Sequence, residues 1–413
     1  MRNYQCKKCA THITSDKTPS AFNCPKGGHH QWTDLGEVGP NNYQCKKCGL
    51  LLKSKNTPSA FNCPSGGHHQ WTKLKKMKPN IFRLATKELS QDGFFTWLLQ
   101  WADNKFSQLD SQLNETAKDF VRLLLDKTED FQITKVNAGR QWNNIDIWAE
   151  INDEYFIGIE DKTNTGEHSG QLERYKQIAS DHYKDKNYKL VFVYLKTGNE
   201  SSATLKKVIE KGYSTIDRKA VLNVFSQKVV QNEIFKDFKE YLSAIEYQTN
   251  SYTNFENIVS EWKAGEGFFI KLQELIPEWT DWRYVPNQTG GFLGFWYHWQ
   301  GTNDIGEIYI QIENAFEYGI KLVIKIADWE PSTETLYRLL NEIRPFADKN
   351  GISIVKPNKY RAGATSTLAI IENAFTVDNE GNFEIDKFIM TLKALEKTID
   401  KYCEEQNTAG NTQ

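Results

Sequence analysis

No apolar run in the chain approaches the ~20 residues that a membrane span needs, and Met1-Arg2-Asn3-Tyr4 shows none of the apolar stretch of a secretory signal. Cysteine is scarce: of 7 in total, six fall in the first 63 residues, and the last, Cys403, sits in a helical stretch as a small, partly buried side chain. Acids are scarce where cysteine is not. Residues 1 to 80 hold thirteen Lys+Arg against three Asp+Glu, a net of +10, and the remainder holds 38 against 50, a net of -12. The overall charge of -2 hides this asymmetry. At 413 residues the chain is too long for one ordinary core. A soluble, cytoplasmic, multi-domain protein is expected, with no membrane partner.

The basic segment is an internal repeat. Tyr4-Gln5-Cys6-Lys7-Lys8-Cys9 recurs as Tyr43-Gln44-Cys45-Lys46-Lys47-Cys48, and Thr18-Pro19-Ser20-Ala21-Phe22-Asn23-Cys24-Pro25 recurs as Thr57-Pro58-Ser59-Ala60-Phe61-Asn62-Cys63-Pro64. Each copy closes in Gly-Gly-His-His-Gln-Trp. Two thiols in C-x-x-C, a third after a loop and a histidine beyond it supply four ligands for a closed tetrahedral zinc site. Three cysteines per copy are odd in number, so a disulfide framework would leave one thiol unpaired each time. The expected ligands are Cys6, Cys9, Cys24 and His30 (or His29), then Cys45, Cys48, Cys63 and His69 (or His68). His30 and His69 are preferred because the modules resemble bacterial ones that end in His-x-Trp. Such short ribbons need the metal to fold, and reduced thiols fit a cytoplasm. The lysines here, with Lys73, Lys75, Lys76 and Lys78 at the end, are expected to contact phosphates. The competing reading is that they keep the module soluble, or that the ribbons bind a protein.

The acidic remainder carries its chemistry on one hairpin. Asp146 lies in Asn144-Ile145-Asp146-Ile147-Trp148-Ala149-Glu150-Ile151, and Glu160 and Lys162 lie in Tyr155-Phe156-Ile157-Gly158-Ile159-Glu160-Asp161-Lys162. Strand side chains alternate, so Glu160 and Lys162 point one way while Asp161 points back with Ile157 and Ile159. A three-residue turn, Asn152-Asp153-Glu154, sets Asp146 across from Glu160. Facing carboxylates are destabilising unless a cation or a proton lies between them. Hard oxygen ligands suit magnesium or manganese. An adjacent ammonium can orient or help deprotonate water and offset charge on a phosphorane, so phosphodiester hydrolysis is the chemistry this triad serves. Taken alone, the triad also fits a surface ion pair on an ordinary strand. Downstream, Gln171 and Tyr175 share a helical face, and Lys189 to Leu195 reads as a buried strand. Upstream, a helix with Ser90 as its cap carries Phe94, Trp97, Leu98 and Trp101 as an apolar stripe.

In Lys87-Glu88-Leu89-Ser90-Gln91-Asp92, Ile145-Asp146-Ile147, Ile159-Glu160-Asp161-Lys162 and Gln171 through Tyr175, the chain resembles a bacterial branch of the PD-(D/E)XK nuclease superfamily over roughly residues 80 to 250. The resemblance implies an α/β restriction-endonuclease-like core with a mixed central sheet. It implies Asp146, Glu160 and the backbone carbonyl of Asp161 as magnesium or manganese ligands, and Lys162 as the catalytic lysine. Gln171 becomes an active-site polar partner, Glu88 a helix carboxylate near the metal, and Tyr175 a nucleic-acid contact. Two departures are visible: Asp161 stands where asparagine is usual, and the proline of the superfamily's name is missing.

The last segment reads as an α+β domain. Strands are expected at Gly291 to Trp299, Glu307 to Glu313 and Gly319 to Ile326. A helix from Ser332 to Lys349, strands near Ile352 to Tyr360 and Ser366 to Ala374, and a helix from Ile385 to Glu404 follow. Trp296, Tyr297, His298 and Trp299 could stack on bases, but aromatics on a strand are more often packed, which is the reading adopted. His298 is assigned no metal.

The expected organisation is zinc ribbons at 1-38 and 39-78, a nuclease-like core at 79-250, an α+β domain at 251-405 and a disordered tail at 406-413. The expected function is a magnesium-dependent nuclease, an endonuclease ahead of an exonuclease, on DNA ahead of RNA, with two structural zinc ions and ribbons that dock substrate. The resemblance suggests restriction or anti-phage defence, and dimers, in which such nucleases often cut. The alternative is an inactive nucleic-acid-binding protein or a protein-interaction scaffold built on the ribbons or the C-terminal domain.

Overall fold

Each copy of the repeat folds as a three-stranded antiparallel sheet. In the computed structural model, which describes residues 1–74, 79–163, 170–287, 290–302, 306–316, 319–327, 330–361 and 363–410, β1 (Arg2–Cys6) lies between β2 (His12–Ser15) and β3 (Trp32–Glu37). β4 (Asn41–Cys45) likewise lies between β5 (Leu51–Ser54) and β6 (Trp71–Leu74). The two copies share a small core of Leu35, Tyr43 and Leu52. They are stitched by Asn3 Nδ2 donating to the Lys53 carbonyl (3.0 Å) and Ser54 Oγ donating to the Glu37 carbonyl (3.1 Å). Met1–Asn80 is one compact unit and Ile81–Gln413 another. An apolar cluster of three buried side chains is far too small to fold the first unit by burial alone.

The second unit begins with α1 (Ile81–Leu84), α2 (Glu88–Trp101) and α3 (Ser111–Leu125), followed by β7 (Val136–Trp142), β8 (Ile145–Ile151), β9 (Tyr155–Lys162), α4 (Gln171–Tyr183), β10 (Lys189–Lys196), α5 (Ser202–Glu210), β11 (Ser214–Asp217), α6 (Arg218–Gln227) and α7 (Glu233–Thr249). The sheet runs β11-β10-β9-β8-β7. β7, β8 and β9 pair antiparallel and β9, β10 and β11 parallel, the mixed sheet that the motifs imply. The parallel joins need crossovers, which α4 and α5 supply. Central β9 is buried along its whole length. Tyr155, Ile157 and Ile159 face the core built with α2, α3, α6 and α7, whereas Phe156 faces Leu172, Tyr183 and Tyr194 under α4. Gly139, paired with Trp148, has no room for a Cβ: the indole would lie 2.7 Å from it.

α2 starts two residues before the expected cap. Lys87 occupies the cap position without a side-chain bond, and Ser90 sits inside the first turn. Glu88 at the head of the helix is favoured by the helix dipole and accepts a hydrogen bond from the Thr163 N–H (3.0 Å), which anchors the helix start there.

The chain continues through α8 (Phe255–Ser260), α9 (Trp262–Leu275), β12 (Thr280–Val285), β13 (Phe292–Thr302), β14 (Gly306–Asn314), β15 (Ile320–Ala327), α10 (Thr333–Lys349), β16 (Ile354–Val355), β17 (Thr365–Ile371) and α11 (Ile385–Gly410). A six-stranded sheet, β12-β13-β14-β15-β17-β16, pairs antiparallel throughout and buries Phe295, Ile310 and Ile324 against Phe268, Leu339 and Leu395. α11 continues through Gln406–Gly410, where polar composition predicts a disordered tail; residues 411–413 lie outside the described residues. His298 bulges out of β13 at φ 57. Its imidazole bridges Glu278 (3.1 Å) and Asp400 (2.9 Å), and Trp299 stacks on Tyr309 at 3.9 Å, so these side chains are spent within the domain. No helix among the described residues is long and apolar enough to cross a membrane.

Candidate active site and metal centres

The turn Asn152-Asp153-Glu154 has three residues, with Asn152 and Asp153 at φ 55 and 56, and it sets Ile151 against Tyr155 and Ile147 against Ile159. The ladder ends there. One step further along the same register, Asp146 meets Glu160. Asp146 Oδ2 accepts the backbone N–H of Asp161 (3.2 Å). In an extended strand the N–H and C=O of one residue face the same neighbour, so the Asp161 carbonyl is directed toward β8 as well.

Glu160 is 1 % exposed. The Lys162 ammonium ion-pairs with its Oε1 and lies 3.8 Å from Asp146 Oδ2. Apart from that ammonium, neither Glu160 oxygen has a hydrogen-bond donor among the described residues. Burial, and after it the Asp146 charge, pushes the Glu160 carboxyl up to about 8. Burial also raises Asp146, with Lys162 opposing. For Lys162, burial works against the charge, but Glu160, Asp146 and Glu88 together outweigh it and raise the amine. Two acids with one ammonium are short of positive charge, and the Glu160 oxygens, which only that ammonium meets among the described residues, are hard donors facing that deficit. This donor set fits a divalent cation such as magnesium or manganese.

α2 closes the end of β9. Glu88 Oε1 accepts from both the N–H and the hydroxyl of Thr163, the residue after Lys162. On the opposite face of β9, strand alternation says only that Asp161 points away. The structure gives it a setting: Gln91 Nε2 donates to Asp161 Oδ1 (2.6 Å) and Gln91 Oε1 accepts from Thr197 (2.6 Å). Asp92 faces the same carboxylate. Burial first, then contact with Asp92, holds Asp161 well above its ordinary value, and burial lifts Asp92 to about 6. Gln91 and Asp92 stand in the sequence motif beside Glu88, but only the packing of α2 across β9 reveals their partner.

Gln171 opens α4, and its Nε2 donates to the Tyr175 hydroxyl (2.7 Å) while its buried Oε1 has no hydrogen-bond partner among the described residues. Tyr175 is 4 % exposed, because Leu172, Tyr175, Ala179 and Tyr183 form the stripe by which α4 packs on the sheet. The ring expected to touch nucleic acid is therefore inside, and its hydroxyl holds Gln171. Residues 164–169, between β9 and α4, lie outside the described residues.

Each ribbon gathers four metal-binding side chains: Cys6, Cys9, Cys24 and His30 in the first, Cys45, Cys48, Cys63 and His69 in the second, with all donor atoms of a set within 4.8 Å of one another. Ligands around a tetrahedral zinc with bonds of about 2.0–2.3 Å lie roughly 3.5–4 Å apart. His30 Nδ1 is 3.4 Å from Cys9 Sγ, and His69 Nδ1 is 3.5 Å from Cys48 Sγ. The His-x-Trp spacing explains the choice of histidine. His30 stacks on Trp32 (4.6 Å) and His69 on Trp71 (4.7 Å), and each indole N–H is tied to a serine carbonyl. His29 and His68 turn away to meet Phe22 and Phe61 edge-on. Burial raises the Cys6 thiol, but hydrogen bonds from Cys9, His30 and Gln31 bring it down to about 6, whereas burial and Cys45 push Cys48 up to about 12. Clustered thiols of this kind ionise together only with a cation among them. Lys73 is exposed on β6; Lys75, Lys76 and Lys78 lie outside the described residues.

Residues 79–265 match the family model of the PD-(D/E)XK nuclease superfamily. No curated protein and no solved structure matches the chain.

Proposed function

We propose that this chain, whose residues 79–265 match the PD-(D/E)XK nuclease superfamily, hydrolyses phosphodiester bonds in nucleic acid at a divalent-metal site on β8 and β9. The observation that carries this reading is the convergence of Asp146, the buried Glu160 with no donor but the Lys162 ammonium among the described residues, and that ammonium between the two acids. Asp146, Glu160 and the Asp161 carbonyl would hold magnesium or manganese. Bound there, such an ion supplies Lewis-acid polarisation of the scissile phosphate and a more acidic water. Lys162, fixed by its ion pair, orients the attacking water and offsets charge that grows on the phosphate. The Gln171 Oε1 is available to accept a hydrogen from that water. Glu88 fixes Thr163 and thereby the end of β9.

DNA is taken ahead of RNA and internal cutting ahead of end-wise cutting. Two structural zinc ions hold the ribbons, which dock the substrate through phosphates, drawing on the +10 charge of residues 1 to 80. A cytoplasmic role in restriction or anti-phage defence, with the chain acting as a homodimer, completes the proposal. The test is cleavage of plasmid, single-stranded DNA and RNA by the purified chain with magnesium or manganese. Glu160→Gln and Lys162→Ala should each lower the rate by roughly 100-fold or more, the scale seen when a group stabilising transition-state charge is removed. Undiminished cutting by either variant would overturn the assignment.

A further inference from the structure

A cavity of about 560 Å³ opens where α9 and β12 meet the end of β10, and Lys196, Lys263, Arg283, Trp262, Trp282 and Tyr284 line it. Lys196 is the register partner of Lys162, so the cavity begins one strand, about 4.8 Å, from the proposed catalytic lysine. In parallel register, partnered side chains share a face, and Lys196 thus lies on the Glu160 and Lys162 side of the sheet.

Two aromatic rings in this cavity are exposed yet held. Trp262 is 39 % exposed, its Nε1 donates to Glu266 (2.6 Å), and its indole stacks on Phe316 at 5.0 Å. Tyr284 is 46 % exposed, 5.8 Å from Trp262, and its hydroxyl donates to the Gly290 carbonyl (2.8 Å). Gly291 lies under the Tyr284 ring, where a Cβ would come within 2.6 Å of it. Surface aromatics ordinarily lose rotamer freedom when something stacks on them; these two have already lost it, so stacking costs them little. Three cations share the lining with the rings. Lys196 pairs with Glu200 and Lys263 with Glu266, while Arg283 lies 5.3 Å from the Trp296 ring and has no acidic partner among the described residues. The walls are rigid. Asn199 donates to Glu266 (2.8 Å), Ser201 donates to Asp281 (2.6 Å), and buried Arg218 binds Thr197, Asn199, Thr249 and Glu246 at once.

We propose that this cavity receives an unpaired nucleotide of the substrate strand, its base against Trp262 and Tyr284 and its phosphates against Arg283 and Lys196. The proposal rests on the nuclease reading and narrows its substrate to nucleic acid with a single-stranded stretch beside the cut. Fixed aromatic faces beside cations recognise any base by its π-face, and a base still stacked in a duplex does not offer one.

The test uses the full chain with calcium in place of magnesium and a single-stranded oligonucleotide carrying one 2-aminopurine. Binding should quench the probe. Trp262→Ala should weaken that binding roughly tenfold and abolish the quench, and Trp262→Phe should restore both. Tyr284→Ala provides the same readout where the Trp262 change unfolds α9. Single-strand affinity and quenching equal to wild type in both alanine variants would overturn the proposal, as would equal quenching of the probe inside an intact duplex. Failure of the nuclease reading is seen separately, as undiminished cutting by Glu160→Gln.

Discussion

Asp92 and Asp161 face each other across the α2–β9 contact, and although Arg140 opposes the shift at Asp92, both carboxyls titrate higher in the folded chain than in the unfolded one. The folded chain therefore keeps protons that the unfolded chain releases, and stability falls as pH rises from about 4 through about 6. Asp92→Asn removes the share of the penalty that comes from Asp92 and leaves the burial of Asp161. The melting temperature of the magnesium-free protein should rise at about pH 7, with the gain vanishing near pH 4, where both versions carry a neutral group. A lower melting temperature at both pH values would show that the Asp92 carboxylate is needed as such. The hairpin acids are legible in sequence because a period of two fixes which side chains share a face. Asp92 is not, since its partner lies 69 positions away and is set by helix-on-sheet packing that no local pattern encodes.

At the scale of the element, the end of β9 depends on a close backbone approach. A Cβ on Gly198 would fall 1.8 Å from the Thr163 carbonyl oxygen, so the chain after β10 passes β9 only as glycine. Gly198→Ala should displace Thr163 and its bond to Glu88, lowering the cleavage rate at least about tenfold while circular dichroism stays near wild type. Wild-type cutting would show that Thr163 yields without disturbing Lys162. With a metal in each four-ligand set, ligation would replace the core that the ribbons lack, and each would form or fail as a whole element. Elemental analysis should find about two zinc ions per chain, one for each closed four-ligand set, and Cys63→Ser should remove one of them. Full zinc content in that variant would refute the second site. The strands β13, β14 and β15 and helices α10 and α11 follow from alternating or amphipathic runs. β12, α8 and α9 do not, being short or built from residues whose apolar face is defined only by what packs on it.

On the scale of the whole molecule, charge is divided as the fold is. The basic residues 1 to 80 coincide with the compact unit Met1–Asn80, and the acidic remainder with Ile81–Gln413. A chain reduced to residues 81–413 should retain divalent-metal-dependent cutting but bind DNA more weakly and with a flatter dependence on salt, since every phosphate that the protein no longer neutralises takes about 0.9 off the slope. An unchanged slope would move the ribbons from substrate docking to protein binding.

The sequence by itself determined the chemistry that is local. C-x-x-C with a third cysteine and His-x-Trp specifies two metal sets, and a hairpin of known turn length specifies which acid faces which, because both depend on short chain segments with fixed geometry. Only the tertiary structure decided that Asp161 meets Asp92, that Tyr175 is buried behind Gln171, and that a rigid aromatic cavity adjoins Lys162's neighbour. The Gln171–Tyr175 bond spans only four positions, but the burial of that ring and the other two arrangements join residues far apart in the chain, and long-range packing sets them.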